Sequence, residues 1–216
     1  MELQDPLKPL NDVVSPDRRY LGTGPSLEAI HAELETLQVH VGVPLHVRQM
    51  FETAKNLSLY AWFVYRFHPV ARQLAYVTLE RALKERHALE VGDDPETITK
   101  TLGPLMAMAV RTGWIKSERY SSVLRIARVR LNDDQNMRMI LSGELRDKPV
   151  EIPKISDAEV FEYAATMDFV NKIASSIPEV RNHLAHGGKL LDSGSPATLR
   201  VVAETINQLF KDPTGE

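Results

Sequence analysis

From Ser26 almost to its end, the chain places apolar residues every third or fourth position, and that spacing restricts what it can fold into. The pattern is plainest in "SPATLRVVAETINQLF". There Leu199, Val202, Ala203, Ile206, Leu209 and Phe210 form one stripe, with Arg200, Glu204, Asn207 and Gln208 opposite. No stretch alternates apolar and polar residues for long enough to make a strand. The fold class expected is all-α, a single helical bundle of about seven or eight helices. Local signals divide the pattern. Ser26 caps a first helix, Pro44 opens a second that runs on through "YAWFVYRF", and Pro69 starts a third. "GDDPE" makes a turn, Gly103-Pro104 restarts the chain, and Ser156 with Glu159 forms a capping box. Beyond that box Val160, Ala164, Met167, Val170 and Ala174 keep helical spacing.

Residues 1–25 are different: Pro6, Pro9, Pro16 and Pro25 with Gly22 and Gly24 leave no periodicity, so an irregular arm precedes the helices. A chain of 216 residues, 43% of them hydrophobic, can bury one substantial core, and residues 26–212 are expected to form a single all-α domain. The absence of cysteine excludes disulfides and thiolate zinc sites and fits a reducing cytoplasm. No apolar run approaches the roughly 20 residues that span a bilayer, and "MELQDPLKPLNDVV" has no signal-peptide core, so no membrane association is expected.

A net charge of −3 gives no global attraction to nucleic acid, but charge acts locally. From Arg111 to Lys148 nine basic residues face five acids, and "VLRIARVRL" sets Arg125 and Arg128 one helical turn apart with Arg130 close by. Such arginines suit neighbouring phosphates, or else a solvated amphipathic face. The acid pairs Asp93-Asp94 and Asp133-Asp134 read as caps or solvated turns. Walker and dinucleotide glycine loops, a GxSxG elbow and HExxH are all missing, which excludes the chemistry they carry.

The residues best suited to chemistry lie in "IPEVRNHLAHGGK", Ile177 to Lys189. Cleaving an RNA phosphodiester needs a proton taken from a 2′-hydroxyl, a proton given to the leaving oxygen, and compensation of charge on phosphate. Histidine does either proton task near neutral pH, and arginine presents a charged planar fork to phosphate. Arg181, Asn182 and His186 are therefore the candidate catalytic residues, with His183 a secondary candidate. The scheme calls for no cofactor and no metal. His183 and His186 point the same way on a helix, but a third metal ligand is missing nearby. Arg181 and His186 fall about 140° apart on a regular helix, which favours Arg181 at a first helical turn near Pro178. Arg81 and His87 repeat the spacing, but Ala82 follows that arginine and the surroundings are a charged helix surface. The purely structural alternative has Arg181 paired with a carboxylate, His186 at a helix C-terminus and Asn182 in water.

With Arg181-Asn182 followed by "HLAHG", the chain resembles the HEPN superfamily (higher eukaryotes and prokaryotes nucleotide-binding), whose pattern is an arginine, a polar residue and a histidine a few positions on. Its "RN-x-x-AHG" form is similar to the abortive-infection-like branches. The resemblance implies an all-helical domain that forms homodimers, two motifs meeting across a two-fold axis. In many members it implies metal-independent endoribonuclease activity in toxin-antitoxin or phage-defence systems, with RNA as substrate and an antitoxin or other protein as partner. Other members are non-catalytic modules that bind nucleic acid or protein.

Overall fold

The computed structural model describes residues 5–22, 24–142, 154–187 and 191–210. Arg146 and Lys148 of the basic run, and Gly188 and Lys189 of the histidine stretch, lie outside the described residues. Among those described the fold is all-α, with eight α-helices and no strand. They are α1 (Leu27–Glu35), α2 (Leu45–Tyr60), α3 (Phe67–Val91), α4 (Leu102–Arg111), α5 (Ser121–Ser142), α6 (Asp157–Ala165), α7 (Phe169–Ala185) and α8 (Ser195–Phe210).

The predicted caps form. Ser26 Oγ accepts from the Ala29 N–H at 3.2 Å, and Ser156 and Glu159 make the reciprocal capping box. Gly92 ends α3 with φ +72°, a left-handed conformation that costs glycine little.

Two expected helices are broken. The second stops at Tyr60 rather than running through "YAWFVYRF". Pro69 has no N–H to give the Tyr65 carbonyl, which accepts from the His68 N–H at 3.1 Å instead, and Pro69 falls in the first turn of α3, where that missing N–H is tolerated. The intervening turn half-buries its aromatic residues and is held by the N-terminal arm. Asp17 N–H donates to the Trp62 carbonyl at 2.8 Å, and Tyr20 packs its ring 4.8 Å from Trp62 and 5.7 Å from Tyr65. The apolar run from Val160 to Ala174 is likewise two helices, α6 and α7. Ser117 Oγ accepts from the N–H groups of Phe169 and Val170, both at 3.3 Å, capping α7 from a distant part of the sequence.

The chain divides into two compact units, with boundaries at Leu102/Gly103 and inside α7 at Ser176/Ile177. In the first, α3 packs against both α2 and α8, and α1 leans on α2. Ala71, Ala75 and Ala82 of α3 are fully buried, and small side chains there let neighbours approach closely. Val47, Phe51, Leu79, Leu83, Leu199 and Ile206 fill the rest of that core. In the second unit α5 packs on α6 and on the 3-10 turn Ser117–Arg119. Leu105, Met106, Ile115, Tyr120, Val123 and Ala164 are buried there, and Tyr120 meets Phe169 edge-on with centroids 4.9 Å apart. No helix among the described residues is long and apolar enough to cross a membrane.

Candidate functional site

Arg181 lies four residues from the C-terminal end of α7, not at a first turn near Pro178. α7 begins at Phe169 and carries Pro178 inside it, so Pro178 leaves one carbonyl of the preceding turn without its usual partner. Ile177 and Leu184 bury the inner face of this segment, which turns Arg181 sideways toward α3. There the guanidinium meets the Glu80 carboxylate at 3.3 Å, and its other arm reaches Asn182 Oδ1, also at 3.3 Å. The Arg181 side chain keeps 33% of its surface open, against 16% for Glu80.

Asn182, His183 and His186 are exposed. The helix stops just before His186, whose N–H donates to the Asn182 carbonyl at 3.0 Å, and Gly187 takes the left-handed conformation at φ +73°. Arg181, Asn182, His183 and His186 therefore share one helix end. Arg181 paired with a carboxylate and Asn182 in water are also what the structural alternative requires.

Beside Arg181 opens a cleft of about 540 Å³, lined by His46 of α2, Glu80, Arg81 and Lys84 of α3, and Glu96 of the 3-10 turn Pro95–Thr97. Arg81 is the arginine of the second Arg–His spacing in the sequence, and it shares this cleft with Arg181. His87, its partner in that spacing, instead lies 3.2 Å from Lys100 Nζ. Arg81 pairs with Glu85 at 2.8 Å and with Glu96, and its Nε is 3.2 Å from His46 Nε2. Those contacts hold its pKa above the usual arginine value, burial opposing them as the largest single influence. Lys84 makes no ion pair among the described residues, so the concavity gathers three cations, Arg81, Lys84 and Arg181, with the Glu80 and Glu96 carboxylates that pair with the two arginines. The sequence signal for it was faint: Glu80 and Lys84 recur at i, i+4 on the polar side of α3.

Arg125, Arg128 and Arg130 are exposed on α5, in the other compact unit, and Arg128 pairs with Asp157. Among the described residues no group of three or more His, Cys, Asp or Glu side chains is placed to hold a metal ion.

A second polar constellation was not foreseen. The Tyr20 hydroxyl lies 2.5 Å from His68 Nε2, His68 Nδ1 lies 2.6 Å from Ser195 Oγ, and that oxygen lies 2.6 Å from Ser58 Oγ. Arm, α3, α8 and α2 are thus joined by one hydrogen-bonded chain in which His68 is 1% exposed and both serines are fully buried. Burial lowers the His68 pKa to about 4, with Asp192 and Asp17 opposing and Arg72 assisting. Burial likewise raises Tyr20 to about 12. A neutral imidazole offers one donor and one acceptor nitrogen, which two hydroxyls satisfy. No substrate can reach Ser195, so the chain braces the scaffold. Nothing in the local sequence marks His68 or Ser195 as members of such a chain.

Comparison of the chain with family models, with curated proteins and with solved structures finds no match.

Proposed function

We propose that the protein is a HEPN-like RNA-binding protein that cleaves RNA without metal as a homodimer. Arg181 holds the phosphate, His186 acts as general acid or base, Asn182 assists, and His183 is the secondary candidate. The observation that carries this reading is the meeting of Arg181 with Arg81 and Lys84 in one cleft, on the helix whose end exposes both histidines. A phosphodiester gathers negative charge as it reacts, and fixed cations in a concave site compensate it. The end of the same helix carries His183 and His186 on its exposed surface, the side-chain type that general acid–base catalysis uses most often.

Arg125, Arg128 and Arg130, exposed on α5, are the candidate contacts to RNA phosphates. A chain without cysteine suits a cytoplasmic setting, and the resemblance adds a toxin or phage-defence role with an antitoxin or other protein partner. The test is a mixed RNA pool incubated in EDTA with the wild type and with His186→Ala. Products ending in 2′,3′-cyclic phosphate from the wild type alone are expected. Intact RNA in both, or equal cleavage by both, would defeat the assignment. Relief of expression toxicity by Arg181→Ala would support the toxin role.

A non-catalytic module that binds nucleic acid or protein is the second reading, and the Glu80 carboxylate against Arg181 favours it, because it offsets the charge a phosphate would meet. That reading expects RNA to stay intact while affinity falls steeply with salt.

A further inference from the structure

In the run "YAWFVYRF" one aromatic side chain stays largely outside the core. Tyr60 ends α2 with 54% of its surface open. The Phe63 N–H donates to the Tyr60 carbonyl at 3.0 Å, a turn that sets the two rings side by side, their centroids 6.2 Å apart and their planes tilted by 41°. With Leu59 of α2 and Leu27, Glu28 and His31 of α1 they line a pocket of about 520 Å³, the size of a small-molecule site. Leu27, Leu59 and Phe63 are apolar and partly buried, so their side chains offer an occupant no hydrogen bond. The pocket's one carboxylate is Glu28, which makes no ion pair with a described residue. Hydrogen bonding by its own backbone N–H, and then by Ser26, holds its pKa below the usual value, so it is charged at neutral pH. Among the described residues no lysine or arginine lines the pocket.

An anionic occupant, a nucleotide included, would face Glu28 with no lysine or arginine there to offset it. A primary ammonium would shed water that apolar walls cannot replace. An ammonium whose hydrogens are replaced by methyl groups meets neither difficulty. Its charge is drawn to the carboxylate and to the π-electrons of the rings, and its methyl groups pack against leucine. We propose that this pocket is a binding site for a small organic cation of the quaternary-ammonium class, with Tyr60 and Phe63 as ring walls and Glu28 as counter-charge. The site is independent of the RNA-cleavage reading and shares no lining residue with the Arg181 cleft.

Choline and 3,3-dimethylbutan-1-ol share a shape and differ in charge, so the pair isolates the electrostatic part of binding. Each is titrated into the isotope-labelled full-length protein, with dissociation constants read from the amide shifts of Glu28, His31 and Phe63. The wild type is expected to bind choline about 10-fold or more tightly than the neutral alcohol. Glu28→Gln and Tyr60→Leu are each expected to weaken choline about fivefold or more, while Tyr60→Phe, which keeps the ring, stays within about twofold of wild type. Glu28 and Tyr60 are both exposed, so these variants leave the core intact. Equal affinity for the two probes, no saturable shift with choline at tens of millimolar, or choline affinity that either Glu28→Gln or Tyr60→Leu leaves unchanged would overturn the site. So would adenosine monophosphate moving the same amides at a lower concentration than choline.

Discussion

Arg181 has two obligations, a 3.3 Å pair with Glu80 and a one-third-open face on the cleft, and they predict different costs for its loss. A half-exposed ion pair contributes at most about 1 kcal/mol, so Arg181→Ala should leave the denaturation midpoint nearly unchanged. Loss of phosphate binding should instead abolish cleavage, and parallel urea titrations and RNA assays check both halves. His186 sits past the helix end with its side chain in solvent. Its replacement by alanine is expected to lower the rate by about 10²- to 10⁴-fold with the far-ultraviolet circular dichroism unaltered. A large loss of helicity would instead move His186 to the structural alternative. The sequence draws attention to both residues by type and order alone, which suit the chemistry proposed above. The cleft beside Arg181 is not legible there, since Glu80, Arg81, Glu85 and Lys84 look in the sequence like one more solvated face of α3.

The helices differ in whether their limits are written locally. Ser156 and Glu159 stand three residues apart and cap α6 as their spacing requires. Ser156→Ala should therefore cost about 1 kcal/mol in chemical denaturation, the usual worth of an N-cap. α7 owes its start to Ser117, whose buried hydroxyl accepts from two backbone N–H groups more than 50 positions along the chain. Removing it in Ser117→Ala strands those donors, and a loss of about 1–3 kcal/mol is expected, readable as a lower urea midpoint. A loss under a few tenths would mean that water or a nearby group replaces the hydroxyl. Periodicity alone joined α6 to α7 because Met167 and Val170 keep the apolar spacing across the break, whereas the break itself depends on a distant side chain.

At the scale of the molecule, the buried chain Tyr20–His68–Ser195–Ser58 links stability to pH. The folded-state pKa of His68 is depressed from 6.5 to about 4, so the unfolded state binds the proton more readily. Its stabilising contribution is complete above the unfolded value and is lost as pH falls from 6.5 toward about 4. The full difference is worth about 3 kcal/mol. Urea unfolding followed from neutral pH to about pH 4.5 should show this loss, and His68→Phe, although less stable, should show a shallower slope. An unchanged slope would remove His68 from the account. Tyr20 sets the alkaline side: its pKa is raised to about 12, so its contribution is lost as pH climbs from 10 toward that value. The sequence by itself determined the all-α class and the helix caps at Ser26 and Ser156. It also singled out the Arg181–His186 stretch, because helical periodicity, capping and residue chemistry act between neighbours a few positions apart. Only the tertiary structure decided where α2 ends and where α7 begins, that Arg81 and His46 share a cleft with Arg181, and that four hydroxyl and imidazole groups from distant segments join in the core. Those outcomes rest on contacts between residues up to 137 positions apart, which burial and hydrogen-bond satisfaction select and no local pattern records.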